Sequence, residues 1–453
     1  MSYPRIASFK TAAALRERLR ALDLELPCDD AVTAAPASPL AQPLAVEGGR
    51  LGNRFAIQPM EGWDGTDEGR PSALTERRWQ RFGASGAALI WGGEAVAVRA
   101  DGRANPHQLL LTEANAASIG GLRRALLAAA PAGAPPLVGL QLTHSGRWAR
   151  PTAAGPAPRI AFRHPLLDRR VGVDSDAALL SDAEVEALIG DFARAARLAQ
   201  AEGFDFVDVK HCHGYLLHEF LAARHRPGRF GGVTLAERTR LLHALLEAVR
   251  AAAPGLAIGV RLSVFDLVPH RPGEDGVGVA EDAPVPYDAG FGLDEATALV
   301  ADLVARGVRL INVTAASPYY APHAQRPAAF PPSDGYLPPE DPLVGVARLL
   351  DAARRIKAAV PAAVVVSSGW SYLQDWLPHV AQATVGAGWF DAVGLGRMAL
   401  SYPELPADVL AGRAMDRKRT CRTFSDCTTA PRRGLVSGCY PLDPLYKARD
   451  FKR

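Results

Sequence analysis

From about Arg54 onward, short apolar runs alternate with amphipathic stretches rich in Ala, Leu and Arg, and the alternation recurs every few tens of residues. The runs RFAIQPM (54–60), AALIWGGEA (87–95), PLVGLQLTH (136–144), FDFVDVKHC (204–212), LAIGVRLSV (256–264), LINVTA (310–315), AVVVSSG (363–369) and FDAVGLGR (390–397) read as eight strands. Between them, helical periodicity covers 72–82, 113–130, 182–201, 234–253, 293–306, 343–359 and 373–385. Ser181 with Glu184 has the form of a capping box, and Asp294 with Glu295 puts negative charge at another helix start. Strands alternating with helices predict a parallel α/β fold, and eight of them predict a (β/α)8 TIM barrel rather than an open doubly wound sheet. An open sheet ordinarily carries a GxGxxG turn after its first strand, whereas this one runs into QPMEGWDG.

Several segments fall outside the repeat. Residues 1–45 form an N-terminal extension with a helix at 11–22 and a Pro/Ala linker, and LAVEGGRLGNR reads as a hairpin turning at Gly48 and Gly49 that plugs the barrel floor. The barrel then occupies 46–412 and a Cys-containing tail 413–453. Long excursions follow strand three (150–178), strand five (264–292) and strand six (317–341), the last bringing Tyr319, Tyr320 and Tyr336 as candidate roofing aromatics.

With 453 residues the chain can bury one large core. A net charge of +3, without a dense basic run interleaved with aromatics, argues against nucleic acid as a partner. No apolar run approaches the roughly 20 residues of a bilayer crossing, so a membrane is not expected either. The N-terminus lacks the apolar core of a secretory signal, and five cysteines, an odd number, fit reduced thiols; both point to the cytoplasm. Cys28 and Cys212 read as structural. A homo-oligomer is left open.

Chemistry concentrates after the fourth strand, where Lys210, His211, Cys212, His213 and Tyr215 follow one another closely. A lone Lys or His in such a place is ordinarily a solvated hydrogen-bonder. As a group they differ, because one tight turn could aim Lys210, His213 and Tyr215 into a shared pocket at the strands' carboxyl ends. Two nitrogen donors and a phenol suffice to hold a carbonyl or carboxylate and to deliver a proton.

With the strands placed, the motifs at their ends resemble those of the Old Yellow Enzyme family of FMN-dependent oxidoreductases, over about residues 40–412. NRFAIQPM is similar to that family's first-strand motif, QLTHSGR to its third, HGYLLHEFL with RFGG to its fourth, GVRLS to its fifth and VGLGRMAL to its eighth. The chain resembles a divergent member of that family, related to the branch with dienoyl-CoA reductase and trimethylamine dehydrogenase. The resemblance implies FMN, with Gln141 and Arg261 at the pyrimidine edge and Pro59, Met60 and Gly93 lining the ring. Ser368, Gly369, Gly396 and Arg397 would hold the phosphate, in the usual phosphate corner of such barrels. It further implies NADH or NADPH as electron donor, a small-molecule substrate anchored by Lys210 and His213, and Tyr215 as proton donor.

Departures from the family pattern carry information. The first substrate anchor is ordinarily His and here is Lys210, a compact cation suited to a carboxylate or enolate. Glu61 and Glu94 stand where small polar residues are usual, so a carboxylate beside the ring would lower the flavin potential, pair with Lys210 or meet a cationic substrate. Glu61 and Tyr319 are therefore expected to touch substrate. In the tail, only Cys427 and Cys439 match the spacing of the relatives' four cluster cysteines, with Thr420 and Thr423 in the other two places and Cys421 out of step. This argues against an iron–sulfur cluster, and no metal site is expected. The expected reaction is reduction of an activated C=C beside a carbonyl or carboxylate. The alternative is oxidation or demethylation of an amine or N-methyl compound, and a Schiff base on Lys210 or a non-catalytic flavin carrier are further readings.

Overall fold

Parallel strands covered by helices on one side and packed side chains on the other are apolar on both faces, which is why the strand runs in this chain lack alternation. In a computed structural model, which describes residues 3–133, 135–282 and 292–449, they form β1 (Phe55–Ile57), β2 (Leu89–Ile90), β3 (Leu137–Thr143), β4 (Phe206–Val209), β5 (Ala257–Ser263), β6 (Leu310–Thr314), β7 (Val364–Ser367) and β8 (Ala392–Leu395). Each pairs in parallel with its neighbours, and the β8–β1 register Val393↔Phe55 closes the cylinder. The fold is the expected (β/α)8 barrel. A short strand, Ala95–Ala97, continues the β2 position alongside β3.

The covering helices are α1 (Ala73–Gly83), α2 (Ala116–Ala129), α3 (Asp182–Ala201), α4 (Arg240–Ala252), α5 (Asp294–Ala305), α6 (Pro342–Ala359), α7 (Leu377–Gly386) and α8 (Leu405–Leu410). Helix α3 has the bounds read from the sequence because its start is encoded locally: the Glu184 carboxylate accepts the Ser181 N–H at 2.8 Å and the Ser181 hydroxyl accepts the Glu184 N–H at 3.3 Å. Two other helices differ from expectation. Residues 234–253 break into Leu235–Arg238 and α4, with the Thr239 hydroxyl donating back to the Leu235 carbonyl at 2.9 Å. The stretch before α7 winds as a 3-10 turn, Trp370–Trp376, with Gln374 at φ 51°, so regular helix starts only at Leu377, next to Pro378.

The hairpin Leu44–Val46/Gly49–Leu51 closes the barrel floor. Its Leu51 is buried in one cluster with Ala56, Leu89, Trp91, Phe206, Ala257, Leu310 and Val366 of the barrel. The Phe206 ring meets Trp91 edge-on, with centroids 5.3 Å apart, and fills the place where a Cβ on Gly139 would sit. With the floor plugged, the opening lies at the strands' carboxyl ends. Of the excursion after β5, residues 283–291 lie outside the described residues. Among the described residues, no helix is long and apolar enough to cross a membrane.

Buried imidazoles make this fold sensitive to acid. His218 Nδ1 accepts the Gly214 N–H at 2.9 Å, and His164 Nδ1 accepts the N–H groups of Leu166 and Leu167, roles open only to an unprotonated nitrogen. Burial pushes His211 and His164 down to about 4 and His218 down to about 3, from an ordinary 6.5. Since the folded values lie below the unfolded one, this stability is fully present above pH 6.5 and is lost as pH falls toward 4. Thermal unfolding followed by circular dichroism is therefore expected to give a flat Tm from pH 7 to 8, and a loss on the order of 3 kcal/mol for each of His211 and His218 by pH 4. A Tm that holds from pH 7 to pH 4 would contradict the assignment.

Candidate active site

The carboxyl ends of six strands surround one cavity of about 270 Å³. Pro59, Met60 and Glu61 enter it from beyond β1, Gln141 from β3, Lys210, His213 and Tyr215 from beyond β4, Arg261 from β5, Tyr319 and Arg326 from beyond β6, and Arg397 from beyond β8. Ten residues singled out from the sequence thus line one cavity. Gly93, Ser368, Gly369 and Gly396 do not line the cavity. Gly93, at φ 45°, packs against the Trp79 indole, and the Ser368 hydroxyl donates to the Val313 carbonyl at 2.7 Å.

One buried carboxylate organises the wall. Asp208 in β4 accepts from the Trp91 indole at 2.7 Å, from the Gln141 amide at 2.5 Å and from the Arg261 backbone N–H at 2.7 Å, tying β4 to the wall on either side. Burial raises its pKa and the donors from Gln141, Trp91 and Arg261 pull it back. With its amide nitrogen committed to Asp208, Gln141 has its carbonyl oxygen to offer elsewhere. The Arg261 side chain is 6 % exposed, and its Nε has no hydrogen-bond partner among the described residues. Such a guanidinium calls for an acceptor from outside the chain.

Across the cavity, the Tyr215 hydroxyl donates to Glu61 at 2.6 Å, and Asn105 donates to the other Glu61 oxygen at 3.3 Å. The Tyr215 proton being so used, the Tyr319 hydroxyl 3.1 Å away is the donor to Tyr215. Tyr319 stacks on Trp148 at 4.3 Å between centroids. The Lys210 ammonium lies 3.7 Å from the centre of the Tyr215 ring. Burial pushes Glu61 up while Lys210 draws it down; burial likewise lowers Lys210 and, with Glu61, holds Tyr215 well above 10. The phenol is therefore neutral throughout the ordinary pH range.

His213 occupies a left-handed backbone conformation, φ 69°, which is costly for a residue with a side chain and commonest at functional sites. Its Nε2 lies 3.2 Å from Gln325 Nε2 and 3.4 Å from Thr314, and burial with the charges of Arg261 and Lys210 keeps it neutral. The following Gly214, at φ 73°, has Ser317, Tyr320 and Trp148 where a Cβ would stand. Glu94 departs from expectation: it turns to Arg78, which also holds Asp64, and accepts the Gly62 N–H, because a buried carboxylate needs a cation more than a site beside the cavity. Of the candidate roofing tyrosines only Tyr319 lines this cavity; Tyr320 donates to Asp266 at 2.6 Å and Tyr336 packs on His270 and His323.

The cavity is also lined by Arg397, Arg326 and Arg432, with Cys427 and Thr428 of the tail. Cys427 also lines a smaller neighbouring cavity with Cys421 and Cys439. Asp208, Asn105, Trp148 and Arg326 escape sequence reasoning. The only local signal was an acid inside an apolar strand, FDFVDV, which marks Asp208 as a buried group in need of donors.

The NADH:flavin oxidoreductase / NADH oxidase family matches residues 39–284, more than half of the chain. The chain belongs to this family. An NADH-dependent flavin oxidoreductase of Neonectria sp. (strain DH2) is 29% identical over 286 residues, 59% of this chain and 33% of that protein. An NADPH dehydrogenase of Geobacillus thermodenitrificans (strain NG80-2) is 27% identical over 377 residues, 81% of this chain and 92% of its own length. Among solved structures, 2-naphthoyl-CoA reductase in complex with 2-naphthoyl-CoA superposes with TM-score 0.67 at 19% identity, covering 90% of this chain and 57% of the other. Histamine dehydrogenase from Rhizobium sp. 4-9 gives 0.66 at 20%, covering 90% and 53%. These structures share the fold, and this chain spans little more than half of each.

Replacing Asp208 by Asn keeps the volume but removes the charge and turns two N–H groups toward existing donors. An Asp208→Asn variant is expected to lose about 2–4 kcal/mol of stability in denaturant unfolding. An unchanged midpoint would show that the carboxylate does not organise the wall.

Proposed function

We propose that this family member is an FMN-dependent NAD(P)H oxidoreductase that reduces an activated C=C next to a carbonyl or carboxylate. The observation that carries the reading is the pairing, across one cavity, of a buried amide and an unpartnered buried guanidinium (Gln141, Arg261) with a phenol and an ammonium (Tyr215, Lys210). The residues fit FMN: two guanidiniums that line the cavity each keep a buried nitrogen without a partner, Arg261 Nε and Arg397 Nη1. Gln141 and Arg261 would hold the pyrimidine edge, Pro59 and Met60 would line the ring, and Arg397 would hold the phosphate. FMN, when bound, supplies hydride transfer.

The chain's own residues supply the rest. Lys210 offers a fixed cation to the oxygen on which negative charge develops, a gain realised chiefly in the transition state. His213, neutral, adds a hydrogen-bonding ring nitrogen beside it. Tyr215 delivers the proton to substrate carbon, and Glu61, whose pKa burial raises, is placed to return one to it. Trp148 and Tyr319 cover this corner and exclude water.

A second reading is favoured by one observation: Glu61 is a buried carboxylate beside the Trp148–Tyr319–Tyr215 aromatic face, a combination that suits an ammonium. It predicts oxidation of an amine, with Glu61 and Tyr215 receiving a proton.

The visible spectrum of the purified protein, followed under anaerobic additions of NADH, NADPH or amines alone, separates the two. Bleaching by a nicotinamide and reoxidation by an enone or enoate supports the first reading; bleaching by amines without nicotinamide supports the second. A Tyr215→Phe variant is expected to be reduced by NAD(P)H at the wild-type rate and to be reoxidised by alkene about a hundred- to ten-thousand-fold more slowly. Unchanged reoxidation in stopped flow would remove Tyr215 from the proton-donor role.

A further inference from the structure

Besides Lys210 and Arg261, the cavity gathers more positive charge than the chain neutralises. Arg326, Arg397 and Arg432 all line it. Arg432 pairs with Asp334, but Arg326 and Arg397 make no ion pair among the described residues. Arg397 Nη2 donates to the Pro327 carbonyl at 2.8 Å and its Nη1 is buried without a partner. Arg326 Nη1 donates to the Thr428 hydroxyl and its Nη2 is likewise buried without a partner. Two half-buried guanidiniums, each with one buried nitrogen left without a partner, repel each other, an arrangement that favours a multiply charged acceptor. A phosphate monoester carries close to two negative charges near neutral pH and accepts through three oxygens.

The C-terminal tail holds the segment that bears Arg326. Besides Thr428, the Thr429 hydroxyl accepts the Ser333 N–H at 3.1 Å, the Ser425 hydroxyl donates to the Phe330 carbonyl at 2.7 Å and the Thr423 hydroxyl accepts the Ala329 N–H at 3.4 Å. Four tail hydroxyls thus fasten the loop after β6 over the cavity.

We propose that Arg326, held by Thr428, is a second guanidinium ligand beside Arg397 for the phosphate of the flavin, and that the tail is thereby a clamp on the phosphate end of the cofactor. The proposal rests on the reading that FMN fills this cavity. It assigns the tail a role that depends on its hydroxyl groups.

Arg326→Gln and Thr428→Val in the full chain test it, with Kd for FMN and for riboflavin, which lacks the phosphate, measured by fluorescence quenching, and Tm of the flavin-free protein. Arg326→Gln is expected to weaken FMN roughly ten- to a hundred-fold, to leave riboflavin unchanged, and not to lower the flavin-free Tm, since it relieves repulsion with Arg397. Thr428→Val should weaken FMN in the same selective way but less. Equal weakening of both flavins with a lowered Tm would assign Arg326 to packing and overturn the proposal. An unchanged FMN Kd with a raised KM for NADPH would assign the cations to the donor's phosphate and overturn it too. A wild-type protein that binds neither flavin would instead overturn the functional reading itself.

Discussion

A carboxylate in the middle of a barrel is unfavourable until enough donors surround it, and Asp208 has three, from Trp91, Gln141 and the Arg261 backbone. Each belongs to a different strand or strand end, so satisfying one charge fixes the relative position of β2, β3, β4 and β5 at the level of the cavity. The indole that donates to Asp208 also packs on Phe206, two residues earlier on the same strand. Floor packing and site geometry are therefore linked through a single side chain. Everything above Asp208, including the free face of Gln141 and the outward reach of Arg261, takes its orientation from that anchor.

Charge burial then decides the chemistry of the upper wall. Lys210, Arg261, Glu61 and Tyr215 lie in one low-dielectric space, where neighbours alter each other more than solvent does. Burial alone would neutralise both Lys210 and Glu61. Their mutual attraction opposes this, and the Tyr215 ring under the ammonium adds a second favourable contact for the charged form. The hydrogen-bond chain from Tyr319 through Tyr215 to Glu61 has a direction set by that balance. With Glu61 ionised it leads protons toward the carboxylate; with Glu61 protonated it leads them back to the phenol oxygen. One geometry can thus pass a proton in either direction, and the protonation of a single carboxyl sets which.

What could be read from the sequence follows the range of the interaction concerned. The strands and α3 stand where the pattern places them, because buried parallel strands and a capping box are written in consecutive residues. The break at Thr239 and the late start of α7 depend on how side chains bond back to their own backbone, which periodicity does not encode. Lys210, His213 and Tyr215 were legible as a group since one turn carries all three. The direction of Glu61 was not, for it is fixed by a phenol 154 positions away. Glu94, in a similar context, finds Arg78 and is withdrawn from the cavity. Arg326 lay in a Pro-rich loop without motif, and only its unpaired burial beside Arg397 distinguishes it.

The tail shows how a segment can keep a place while changing the forces that hold it there. Thr423 stands where resemblance to larger relatives would put a cluster thiolate, and its hydroxyl instead accepts a backbone N–H from the loop after β6. Hydroxyl-to-backbone bonds are individually weak, about 1 kcal/mol each. Several in one short stretch, pinning a loop that would otherwise be exposed, act together because each removes entropy that the next need not remove again. Three thiols nearby, at Cys421, Cys427 and Cys439, line a smaller cavity that shares Arg397 and Cys427 with the larger one. The Arg397 guanidinium at that boundary draws the Cys421 thiol down against the burial that pushes it up, so the cation that lines the larger cavity also acts on a thiol of the smaller one.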